Sequence, residues 1–203
     1  GLYSKSSTET NAAYITNAIK RVDISVEKVW EDHNNILDLR PQEIVVQLIK
    51  NKVVIDSVKL SNTNNWKHVF TGLYEYENGI KNEYEIKELD IAGYVSSSKV
   101  EGNRIIITNT REVEATRVIV NKIWNNVEQI EQLPGVIVAL YYKKHANDQF
   151  VEINRVTLNE NNNWQYTWEK DDNGNILPKS FYYKVEEVGY DVSNEEKSFY
   201  EES

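Results

Sequence analysis

The chain has 203 residues, 40% of them hydrophobic, with 13 Tyr and 5 Trp, and its 32 acidic against 23 basic side chains give a formal net charge of −9. That length suits one large domain or two ordinary ones; the Lys and Arg residues form no clustered basic face of the kind nucleic acid requires, and no apolar run reaches membrane-spanning length. Cysteine and methionine are both absent, which excludes disulfides, thiolate metal sites and cysteine nucleophiles, and the lack of Met at position 1 is what a fragment or a processed form would show.

The first extended segment is VDISVEKVW, residues 22–30. Side chains alternate across a strand, so Val22, Ile24, Val26, Lys28 and Trp30 share what reads as the core face, with a lysine between a valine and a tryptophan. EDHNNILD (31–38) follows. Its Asp32, Asn34 and Asp38 stand near calcium-ligand spacing but lack the glycine and terminal glutamate of an EF-hand loop, so it reads as a solvated turn and no metal is expected. EIVVQLIKNKVVIDSVKL (43–60) is two apolar runs split by Lys50-Asn51-Lys52, a hairpin signal, and SNTNN (61–65) is a turn by composition. In YEIKE (84–88), Tyr84, Ile86 and Glu88 share a face; in RIIITN (104–109), Ile105, Ile107 and Asn109 do. No long 3.6-residue periodicity occurs.

The second half repeats the first. ISVEKVWEDHNNILDLRPQEIVVQL (24–48) matches VIVNKIWNNVEQIEQLPGVIVAL (118–140), VKLSNTNNWKHVF (58–70) matches VTLNENNNWQYTW (156–168), and YEIKELDIAGY (84–94) matches YYKVEEVGY (182–190). Lys28 and Lys122 are 94 positions apart, a period too long for a solenoid and right for a domain. The chain therefore reads as all-β, two β-sandwiches in tandem, joined by the short, stiff TREVEAT (110–116).

Lys28, Glu88 and Asn109 thus fall on inward faces of three strands. An unpaired buried charge is prohibitively costly, and three readings meet that constraint. The residues form a buried Lys–Glu ion pair with Asn completing the hydrogen bonds, or they sit at strand ends with their tips in water, or they react. An apolar site lowers a lysine pKa and raises that of a carboxyl group. A neutral Lys28 amine could attack the Asn109 side-chain carbonyl while Glu88 polarises it and relays the proton, releasing ammonia and leaving a Lys–Asn isopeptide bond.

The set VEKVWEDHNN…LRP (26–41), VKLSNTNNW (58–66), YEIKELDIAGY (84–94) and IIITNT (105–110) resembles the Cna B-type domain, the repeat of Gram-positive surface adhesins and pilins. The resemblance covers most of 18–112. It implies an immunoglobulin-like sandwich whose first and last strands are neighbours, crosslinked from a first-strand Lys to a last-strand Asn with an assisting acid. By motif position these are Lys28, Asn109 and Glu88, the residues that face-counting selects.

The second unit offers Lys122 and Glu187 but no Asn partner. Asn109 follows Gly93 by 16 positions, and the same count from Gly189 runs past Ser203, so the second sandwich is expected to lack its last strand. Conversely GLYSKSSTETNAAYITNA (1–18) lines up with GYVSSSKVEGNRIIITNT (93–110), placing Asn17 where Asn109 stands. Residues 1–18 are expected to be a leader or the last strand of a preceding repeat, 19–112 the first repeat, and 113–203 a truncated second. Asn17 of one molecule could then reach Lys122 of another, giving head-to-tail self-association.

The expected function is structural: stalk repeats of an extracellular, cell-wall-anchored adhesin, braced by a single self-crosslinking event and not an enzyme. Its partners would be neighbouring repeats of the same protein. The alternative is a module that contacts a host protein or glycan through its loops. No cofactor, nucleic acid or membrane insertion is expected. His33, His68 and His145 do not cluster in sequence, and LPKS (177–180) lacks the Thr-Gly and hydrophobic tail of a sortase signal.

Overall fold

The structure is a computed structural model that describes residues 4–5, 13–14, 19–125 and 132–192. Nearly all regular structure is β-strand, and no helix among the described residues is long and apolar enough to cross a membrane. The chain divides into two compact units at Arg111/Glu112, with the short stretch Asn35–Asp38 grouped with the second. Near the start, Ser4–Lys5 pairs with Ala13–Tyr14.

The first unit has seven main strands: β1 (Arg21–Glu31), β2 (Glu43–Lys50), β3 (Val53–Ser61), β4 (Lys67–Tyr74), β5 (Tyr84–Glu88), β6 (Val95–Glu101) and β7 (Arg104–Thr110). They form two sheets, in the orders β6-β7-β1-β4 and β3-β2-β5. All pairings are antiparallel except β7 with β1, the parallel contact between last and first strands. Ile24, Val26, Phe70, Ile105 and Ile107 from one sheet bury against Ile44, Val46, Leu48 and Leu60 from the other. This is the alternation expected of a two-layer sandwich with solvated outer faces. Asn51 and Lys52 close the β2–β3 hairpin as a two-residue loop, both with positive φ (49° and 69°), the geometry that matches strand twist.

One turn fixes where Lys28 sits. Ser61 caps a single 3-10 turn at Asn62–Asn64, and Asn65 and Trp66 then both take left-handed φ values of 53° and 59°. A positive φ is unfavourable for a bulky residue, and tertiary contacts hold it here. Trp66 Nε1 donates to Asn62 Oδ1 at 2.7 Å, and the Trp66 carbonyl accepts the Lys28 backbone N–H at 2.8 Å.

The second unit repeats this device. Its main strands are β8 (Val118–Asn121), β9 (Gly135–Lys143), β10 (Val151–Leu158), β11 (Gln165–Trp168) and β12 (Tyr182–Asp191). Asn159 caps the turn Glu160–Asn162, Asn163 and Trp164 have φ of 53° and 58°, and the Trp164 carbonyl accepts the Lys122 N–H at 2.8 Å. The sheet β10-β9-β12 packs Val136, Val138, Leu140, Leu158 and Tyr190 with Trp168 from the β8–β11 pair. Ala115–Thr116, inside the predicted linker, is a strand paired with Leu177–Pro178, so LPKS begins as buried structure. The units differ at one edge. β1 has β7 on one side and β4 on the other, whereas β8 pairs with β11 alone among the described strands.

Candidate functional site

Lys28 lies on the central strand β1, and its register partner on β7 is Ile107; Asn109, two positions further along the same face, is opposite Trp30. Glu88 arrives from the other sheet, at the end of β5 and opposite Val46 of β2. The sandwich therefore brings together the three residues selected from sequence, one from each of three strands.

Their burial separates the readings left open by sequence. The side chains of Lys28 and Glu88 are 0% and 5% exposed and Asn109 is 0% exposed, so the lysine does not snorkel to water. Lys28 Nζ donates to the Val29 carbonyl at 3.0 Å and more weakly to the Ile107 carbonyl at 3.4 Å. It stands 3.6 Å from Glu88 Oε1, an ion-pair distance but outside good hydrogen-bond range. Nor does Asn109 complete the network: both Nδ2 and Oδ1 are buried without a hydrogen-bond partner among the described residues, as is Glu88 Oε1. Glu88 Oε2 accepts from Ser96 Oγ at 3.1 Å.

Buried amide atoms without partners cost about 1–3 kcal/mol each, and native structures rarely keep them without a reason. Burial also lowers the Lys28 pKa from 10.5 to about 8, against the opposing pull of Glu88. A substantial fraction of the amine is then neutral near pH 8. The arrangement can support nucleophilic attack by an amine on a desolvated side-chain amide, with a carboxyl group between the two sheets to carry the proton.

One residue of the loop after β1 departs from expectation. EDHNNILD reads from sequence as solvated, yet Asp32 is buried. Arg40 grips it with two bonds, Nε to Oδ2 at 2.9 Å and Nη2 to Oδ1 at 2.5 Å, and Tyr94 Oη donates to Oδ2 at 3.0 Å. The guanidinium of Arg40 lies 5.3 Å from the Trp30 ring centre, and Lys28 Nζ lies 4.4 Å from that same ring. The missed signal was strand parity: Asp32 continues the inward series Lys28, Trp30, and the LRP of 39–41 supplies its counterion.

In the second unit Lys122 and Glu187 do meet, Nζ to Oε2 at 2.9 Å, with Lys122 Nζ 4.5 Å from the Trp124 ring centre. Their side chains are 21% and 37% exposed, so this pair is less desolvated than Lys28 and Glu88. The expected intermolecular partner, Asn17, lies outside the described residues. No cluster of three His, Cys, Asp or Glu suited to a metal occurs among the described residues.

A family model described as "Cna protein B-type domain" matches residues 24–110 and 118–202. The collagen adhesin of Staphylococcus aureus is 31% identical over 163 residues, 78% of this chain and 13% of that protein, so the chain spans a small part of this relative. The crystal structure of two B repeat units of the Staphylococcus aureus collagen-binding protein aligns at TM-score 0.57 and 26% identity, covering 85% of this chain and 45% of that one. A single B repeat unit of the same protein aligns at TM-score 0.39 and 28% identity, covering 83% and 86%.

Proposed function

The chain belongs to the Cna protein B-type domain family, and from that premise we propose that it forms stalk repeats of an extracellular surface adhesin, the first of them self-crosslinked between Lys28 and Asn109. The observation that supports the crosslink most is the fully buried, unpartnered amide of Asn109 on the face shared with Lys28. A purely structural asparagine would be hydrogen-bonded.

The step balances without cofactor or oxidant. Lys28 Nζ attacks Asn109 Cγ; the Nζ–Cγ bond forms, Cγ–Nδ2 breaks, and ammonia leaves. Glu88 Oε1 takes the proton from the amine and passes it to the departing nitrogen. Fixed geometry supplies most of the acceleration. The event happens once per molecule, so the chain is not an enzyme in the turnover sense.

The position of the bond gives it a mechanical use. It would join the adjacent, parallel β1 and β7, the strands nearest the two ends of the first sandwich. Tension entering through one end and leaving through the other would pass through a covalent link. The unit would then resist extension and proteolysis without disulfides, in a chain that has no cysteine. Expression in a sortase-deficient and a sortase-competent Gram-positive host, followed by cell-wall fractionation of the full-length parent protein, tests the surface placement. Recovery only in the cytosol of both would contradict it.

A pH experiment reads the buried amine directly. In an Asn109→Ala chain Lys28 stays free, with a folded-state pKa lowered to about 8 by desolvation. Unfolding returns it to about 10.4. Between these values the unfolded chain binds more protons, so the stability of the first unit rises with pH across that window, by up to roughly 3 kcal/mol. In the crosslinked chain this nitrogen is an amide and contributes no such rise. Urea midpoints for the two chains at a series of alkaline pH values check the difference; identical slopes would show that Lys28 titrates, or fails to, equally in both.

A further inference from the structure

Resting on the crosslink reading, we propose that Arg40 is a positioning residue for the reaction: by holding Asp32 in a two-point ion pair beside Trp30, it keeps a buried carboxylate from drawing a proton onto Lys28 and closes the Trp30 side of the lysine chamber.

Trp30 is the shared wall. Its ring meets Lys28 Nζ at 4.4 Å, Trp66 edge-on at 5.2 Å, Tyr94 edge-on at 5.1 Å and the Arg40 guanidinium at 5.3 Å. The aromatic groups are themselves anchored: Trp66 by Asn62, and Tyr94 by its bond to Asp32. Gly93, at φ +78°, turns the chain into Tyr94. Arg40 is thus the charged end of a cluster that reaches from the loop before β2 to the reacting amine.

The charges facing Lys28 come from three places. Glu88 on β5 and Asp32 just beyond β1 favour its protonated form, whereas Arg40 opposes it. Asp32 is buried, and a buried carboxylate that loses its counterion either takes up a proton or holds a neighbouring cation in its charged form. With Arg40 in place the pair is neutral as seen from Lys28. Without Arg40, the carboxylate would stabilise the lysine as an ammonium ion, which is not a nucleophile. A guanidinium suits this task because its planar fork satisfies both carboxylate oxygens together.

The test uses the whole chain, freshly translated, quenched in acid before folding and then diluted into buffers from acid to alkaline pH. Samples are weighed at intervals for loss of ammonia. Arg40→Gln is expected to slow crosslinking at neutral pH by about tenfold or more, the equivalent of about one pKa unit, and to move the midpoint of the rate profile to higher pH. Adding Asp32→Asn to Arg40→Gln removes the carboxylate charge and is expected to restore most of the rate and the midpoint. Arg40→Lys keeps the charge without the fork and serves if Arg40→Gln does not fold; it is expected to fall between wild type and Arg40→Gln. Single variants that react at the wild-type rate with an unmoved midpoint would overturn the proposal, and so would a double variant no faster than Arg40→Gln. Absence of ammonia loss in the wild-type chain would instead overturn the crosslink itself, so the two failures are distinct.

Discussion

Glu88→Gln is expected to yield a first unit that folds, retains its full ammonia complement and melts far below the wild type. Glutamine preserves the shape of the side chain and an oxygen for the Ser96 hydroxyl, which donates to Glu88 Oε2 at 3.1 Å. It cannot take the proton from Lys28. The proposed Lys28–Asn109 bond would close a loop of about 80 residues. By the chain-entropy relation established for disulfides, such a link stabilises by about 4–5 kcal/mol. For a domain of about 100 residues, each kcal/mol moves the midpoint by about 4–8 °C, so the expected drop is on the order of 20 °C. Calorimetry with intact mass on the same sample checks both halves. A Glu88→Gln chain that still loses ammonia would remove Glu88 from the mechanism.

Trp168→Ala is expected to cost the second unit about 3–5 kcal/mol, as for other large-to-small aromatic truncations in cores. Trp168 on β11 is buried, meets Tyr166 edge-on at 5.1 Å and donates from Nε1 to Asn154 Oδ1 at 2.8 Å. Its loss opens a cavity and strands the Asn154 carbonyl. The Lys122–Glu187 pair, half-open to solvent, offers no covalent compensation. Domains of this size hold only about 5–15 kcal/mol in total, so a large share is lost. Limited proteolysis of Trp168→Ala should cut within residues 112–192 first and leave a fragment carrying the first unit. Wild-type resistance across that region would mean that the second unit is braced in a way the noncovalent contacts do not account for.

Much of the architecture was legible because strand parity is a strict rule. The inward series of β1, the face of Tyr84, Ile86 and Glu88, and that of Ile105, Ile107 and Asn109 all follow from counting by two. The repeat was legible to the level of single turns: SNTNN and NENNN build the same capped 3-10 turn with a left-handed tryptophan after it. Charged residues just past the end of a strand were harder to read. EDHNNILD has the composition of a solvated turn, and composition alone cannot show that Asp32 is still in step with Lys28 or that Arg40 folds back onto it. That ion pair depends on a tertiary contact across eight residues of irregular chain. The linker likewise hid a strand, because two residues such as Ala115–Thr116 carry no periodicity.

Among the described residues the two units differ in one physical respect. Lys122 and Glu187 occupy positions matching Lys28 and Glu88, yet the described part of the second unit places no strand along the other edge of β8. The pair keeps a hydrogen-bonded ion-pair geometry at 2.9 Å, and the first unit's pair does not. The Lys122–Glu187 pair is partly solvent-exposed and hydrogen-bonded, while burial makes Lys28 a potential nucleophile.

Intact mass under denaturing conditions, followed by peptide mapping, tests the central claim most directly. The predicted result is a chain lighter than its sequence by one ammonia, with the peptides carrying Lys28 and Asn109 joined. A mass equal to that calculated from sequence, or a loss of ammonia mapped to any other pair, would contradict the assignment of Lys28, Glu88 and Asn109 as a crosslinking site.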